Sequence, residues 1–208
     1  MSGPGDMDEM REILDFWFAE DTRPLWFAPT PDFDRAIRER YGQASARAAA
    51  GELTGWEDSP EGCVTLCLLL DQMPRHIFRG TPRAFATDDK AVAVAERAVS
   101  RGFDQGLSSS YKTFLYMPFM HSERLADQLR AVALFDSAGL GEARDYAKDH
   151  LSIIRRFGRF PHRNAILGRS STPEELELLA QHGEHYGQRA EEAPDRAVAP
   201  QEGSRPRE

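Results

Sequence analysis

Apolar residues recur along this chain at spacings of three and four almost without interruption, while strict apolar/polar alternation over four to eight positions is nearly absent. An amphipathic helix needs the first pattern and a half-buried strand the second, so the sequence predicts an all-α fold. The stripe Met10, Ile13, Leu14, Trp17 marks a first helix over 8–20. Thr30-Pro31 and Ser59-Pro60 each pair an N-cap with a proline suited to the first turn. They open a second helix carrying Phe33, Ile37, Tyr41 and Ala44 to Gly51, and a third over 60–72. The third is apolar nearly all round (Val64, Leu66, Leu68, Leu69, Leu70) and is expected to be central and buried, with Met73 before Pro74 stopping it.

The remaining starts follow the same logic. Asp88 is read as capping a fourth helix to Ser100, and Ser108 as opening a fifth that Pro118 interrupts or kinks. Ser122 opens a sixth ending at Gly139, and a seventh ends at Gly158. Thr172-Pro173-Glu174-Glu175 is a capping box for an eighth. About eight helices on short connectors predict a single helical domain over 1–187. No repeat of about 34 residues is seen. Residues 188–208 are rich in charge and proline, poor in large apolar side chains, and are expected to form a disordered tail.

At 208 residues and 40% hydrophobic content the chain can build one core. No apolar run reaches the roughly 18 residues of a membrane span, and 1–10 lacks a cationic export signal, so a soluble, cytoplasmic protein with no membrane partner is expected. Cys63 and Cys67, four apart on a buried helix, suit neither a disulfide nor a metal site and are read as core. No metal or cofactor is expected.

The net charge of -8 disfavours nucleic acid as a partner, but the charge is unevenly spread. Three stretches hold no acid at all: 72–87 with Arg75, Arg79 and Arg83; 105–122 with Lys112 and His121; and 151–171 with Arg155, Arg156, Arg159, Arg163 and Arg169. Together they carry +9, leaving -17 for the rest. Each stretch sits at a helix boundary among aromatics, where side chains are displayed by a rigid scaffold. Guanidinium forks match carboxylate or phosphate, and histidines titrate near neutral pH. The pattern therefore nominates Arg75, Arg79, Arg159, Arg163, Asn164 and Tyr116 as ligand-binding residues. His121 and His162 are the candidate proton-transfer groups, with Asp71 as an orienting carboxylate. His76, His150, His182 and His185 are read as structural.

These segments also carry a resemblance. The runs 13–18, 71–81 (Asp-Gln-Met-Pro-Arg-His-Ile-Phe-Arg-Gly-Thr), 84–88, 116–123 (Tyr-Met-Pro-Phe-Met-His-Ser-Glu) and 156–164 (Arg-Phe-Gly-Arg-Phe-Pro-His-Arg-Asn) resemble domain-of-unknown-function family 924, over about residues 8 to 182. The resemblance implies a tetratricopeptide-like helical fold and supplies no reaction. His76 stands where it leads one to expect asparagine, and Met73 where phenylalanine is usual. The functional expectation is a site for a small anionic ligand, with acid/base chemistry if a reaction occurs. The alternative is a helical module gripping an acidic peptide or chain terminus with the same arginines. RNA binding, with Phe157 or Phe160 stacking on bases, is a third and weaker reading.

Overall fold

The computed structural model describes residues 4–182. Among these the secondary structure is helical throughout: α1 (Pro4–Phe18), α2 (Pro31–Ala50), α3, α4 (Asp88–Ser100), α5 (Ser109–His121), α6 (Leu125–Ser137), α7 (Gly141–Phe157) and α8 (Pro173–His182). Helix α3 is continuous and has three parts, an α segment Pro60–Cys67, a π segment Leu68–Gln72 and a second α segment Met73–Ile77. The expected tail, and with it His185, lies outside the described residues; His182 is the last of them.

The starts behave as capping chemistry requires. Thr30 Oγ1 accepts from the Phe33 amide at 3.2 Å, Ser59 Oγ from Gly62 at 3.1 Å and Ser108 Oγ from Tyr111 at 3.3 Å. At α8 the box is reciprocal: the Glu175 amide donates to Thr172 Oγ1 at 3.2 Å, and the Thr172 amide donates to Glu175 Oε2 at 2.8 Å. Gly158 ends α7 at φ +69°, a conformation that a side chain at this position would strain. Two starts differ from expectation. Ser122 opens no helix; it is the C-cap of α5, and α6 begins at Leu125 behind Arg124. Asp88 is already inside α4, behind Thr87, and its carboxylate is engaged elsewhere.

Helix α3 contacts α1, α2, α4 and α5, and its Val64, Leu68, Leu69 and Met73 have no exposed surface. Burying each such side chain contributes about 1.5–3 kcal/mol, which is why the most apolar segment becomes the hub. Trp17 from α1 meets Phe114 from α5 edge-on at 5.6 Å, tying the first helix across the hub. Gly62 has no room for a side chain, because a Cβ there would collide with the Trp56 carbonyl oxygen. Cys63 and Cys67 are free, buried thiols in this core, and burial pushes both above the usual thiol range. No helix among the described residues is long and apolar enough to cross a membrane.

Candidate functional site

Pro74 does not stop α3. Proline lacks an N–H and its ring crowds the carbonyl four residues earlier, so an ordinary helix would break here. The chain widens to i→i+5 bonding instead, the Met73 amide donating to the Leu68 carbonyl, and the carbonyls that lose helical partners find others. Ser45 Oγ donates to Leu69 O at 2.9 Å and Thr87 Oγ1 to Leu70 O at 2.5 Å. Such π turns are often found at functional sites. This one carries Asp71, whose side chain is 1% exposed, and it docks the start of α4, where Asp88 follows Thr87.

Asp71 accepts from His121 Nδ1 at 2.8 and 2.9 Å, from Arg75 Nη1 at 2.9 Å and from the Gln72 amide. Burial works to raise its pKa, but Arg75 and His121 hold the carboxyl well below the usual range, so it is ionised. An ionised carboxylate only accepts, so the His121 proton sits on Nδ1 and the lone pair on Nε2. Arg75 also grips Asp88 with both Nη atoms, at 3.0 and 3.1 Å. The two carboxylates are thereby taken chiefly by one arginine.

Arg163 is the second buried cation, with its side chain 7% exposed. It reaches Asp88 at 3.3 Å, gives Nη2 to the His121 carbonyl at 2.9 Å, and has the Phe85 and Phe160 ring centres each 4.6 Å away. Its Nε–H is shielded from solvent and has no hydrogen-bond partner among the described residues. Burial and then the neighbouring Arg75 bring Arg163 down to about 10. His150 and His162 complete the group, each ring close to Phe160 at 5.4 and 5.3 Å, with His150 6.3 Å from His121. Burial, followed by Arg163, His150, His121 and Arg75, pushes His162 down to about 2. Burial with nearby guanidiniums also lowers His150, and lowers His121 against the pull of Asp71. All three are neutral at pH 7.

The three acid-free stretches thus meet, and Asp71, Arg75, His121, His162 and Arg163 come together. The other nominated residues stand apart from that cluster. Arg79 binds Asp34 at 2.6 and 2.9 Å beside the buried His76, and these two partners bring Asp34 to about 2 although its partial burial works to raise it. Tyr116 donates to Asp104 at 2.7 Å and packs its ring on Phe135. Arg159 pairs with Glu175 at 2.7 and 2.8 Å. Asn164 bonds Ser171 and Glu175 and accepts from Arg169. Arg169 in turn forks onto Glu123 at 2.7 and 2.9 Å, and Glu123 accepts the Phe160 amide at 2.8 Å. These contacts fix the segment that presents His162 and Arg163.

Two members went unnominated in the sequence. Asp88 was hidden by its plausibility as a helix cap. His150 had a readable signal: it shares a face of α7 with Ile153, Ile154 and Phe157, so its ring is directed inward. Two surface clefts, of about 540 and about 490 Å³, lie elsewhere, the first between α1 and α2 and the second between α6 and α7.

The chain belongs to the family described as bacterial protein of unknown function (DUF924), whose model matches residues 13–183. It is similar to a solved structure of a protein of unknown function from Agrobacterium tumefaciens, at 42% identity and a TM-score of 0.79, covering 84% of this chain and 98% of that one. No curated protein matches.

Proposed function

We propose that the chain binds a small carboxylate- or phosphate-bearing molecule at the junction of α3, α4, α5, α7 and the 158–172 segment, with Arg163 as the main anion holder and His121 as the proton acceptor for any reaction there. The observation that carries the reading is the Arg163 Nε–H, buried and without a partner among the described residues. Such a donor costs about 1–3 kcal/mol, and proteins seldom leave one so without a reason. Arg75 holds Asp71 and Asp88 at 2.9 and 3.0 Å, so Arg163 meets Asp88 only at the longer 3.3 Å and keeps its Nε–H unused. The Phe85 and Phe160 ring centres each lie 4.6 Å from the guanidinium carbon and help to exclude water from it, which strengthens the in-plane pairing by which a guanidinium binds oxyanions.

His121 suits proton transfer better than His162. Its ring is oriented by an ionised, buried carboxylate, and the imidazole is neutral, so Nε2 is a base. Asp71 is then a positioning residue. The acidic-peptide alternative draws no support from the two surface clefts, since neither is lined by Arg75, Arg79, Arg159 or Arg163. Of the two rings the base-stacking alternative names, Phe160 is fully buried, and Phe157 is partly exposed with the Arg156 guanidinium 4.8 Å from its ring centre.

Native mass spectrometry of the purified protein tests the proposal. A small acid retained by the wild type and lost from a folded Arg163→Gln variant is the expected result. An adduct retained equally by both would sink the assignment.

A further inference from the structure

We infer that the site takes its anion together with a proton, so that what it captures is, in net terms, an acid. This deepens the reading just given and rests on it. The fixed charges inside the cluster are Arg75 and Arg163 against Asp71 and Asp88, which cancel. Glu123, two residues after His121, is already matched by Arg169. An anion entering this balanced and largely dehydrated setting leaves a net negative charge buried, which is costly unless a positive charge arrives with it.

Imidazoles adjoin the cluster from three directions. His121 comes from the end of α5, beside Asp71 and Arg75. His150 comes from α7, with Nδ1 donating to the Tyr146 carbonyl at 2.9 Å and with Arg163 and Arg75 as its charged neighbours. His162 comes from the loop, facing Arg163 and the other two histidines. With no ligand, burial first and the neighbouring guanidiniums second keep these rings uncharged, against the opposing pull of Asp71 on His121. A bound oxyanion reverses the local field, and an imidazolium becomes its partner. The proton settles on His121 Nε2, because the His121 Nδ1–H already donates to Asp71, an arrangement that accommodates an imidazolium. It comes from solvent and returns there when the anion leaves; no bond other than N–H forms or breaks.

The test is calorimetric titration with sulfate from pH 7.5 to 5.5, a range in which sulfate itself does not titrate. Each bound sulfate is expected to bring in at least one proton. Affinity then rises about tenfold or more per unit fall in pH, and the apparent heat depends on the ionisation enthalpy of the buffer. In His121→Gln, whose amide can still donate to Asp71, the pH slope flattens while circular dichroism reports a folded helical protein. Sulfate binding with neither pH nor buffer dependence would overturn the coupling and leave the anion site standing. A folded His121→Gln protein that keeps the full slope would overturn the placement of the proton. If sulfate, phosphate and acetate all fail to bind at every pH, the anion site falls and the inference with it.

Discussion

Single residues in this protein divide by what their partners leave unsatisfied. Arg79, Arg159 and Arg169 each have a carboxylate at close range that satisfies the guanidinium. Arg163 has its nearest carboxylate at 3.3 Å and an idle buried donor. Replacing Asp71 with Asn leaves Arg75 and His121 facing a neutral amide, and removing one partner of a buried charge group typically costs about 3–5 kcal/mol. Asp71→Asn is therefore expected to unfold at markedly lower urea concentration than wild type; an unchanged midpoint would contradict the ionised state assigned to Asp71. The sequence exposed the cations of this site through the missing acids nearby. It hid Asp88, because an aspartate at a helix start reads equally well as a cap, and only three-dimensional proximity shows which arginines it meets.

At the level of elements, the helix starts were legible wherever a short polar side chain closes on an amide three residues ahead. Thr30, Ser59, Ser108 and Thr172 all do so. Thr172→Ala should cost about 1 kcal/mol, seen as a shift in the unfolding midpoint. The continuation of α3 past Pro74 was not legible. A proline predicts a break from local sterics, whereas the rescue comes from Ser45 and Thr87, distant in sequence, whose hydroxyls take the carbonyls the π turn releases. Thr87→Val removes one of these donors while keeping the side-chain shape. It should destabilise the fold by about 1–3 kcal/mol and also loosen Asp88. Thr81→Val, at an exposed loop bond, should do neither. Chemical denaturation with the Arg163 side-chain resonance as a second probe checks both effects, and equal behaviour of the two variants would refute the rescue.

For the molecule as a whole, the histidine cluster sets a pH dependence. His76, His121, His150 and His162 have folded pKa values below the ordinary 6.5, so below that pH the unfolded chain binds more protons than the folded one. Stability is complete above about pH 6.5 and falls progressively as the pH drops toward the folded values, well before the carboxylates of Asp34 and Asp71 protonate. Thermal melts from pH 7.5 to 4.5 should show this decline, and adding phosphate at pH 5.5 should recover part of it; a flat profile across that range would contradict the neutral-imidazole assignment. That three charged segments would meet was suggested by their shared composition. Which of their residues face one another was not, because that depends on how the 158–172 segment is pinned by Glu123 and Glu175. The proposed site requires the Arg163 Nε–H to meet an oxyanion. It is tested most directly by following arginine Nε–H signals by NMR during phosphate titration at pH 6. The Arg163 signal is predicted to move to saturation while that of Arg159, already held by Glu175, stays in place. A stationary Arg163 signal at phosphate concentrations that shift the melting temperature would rule out Arg163 as the anion holder.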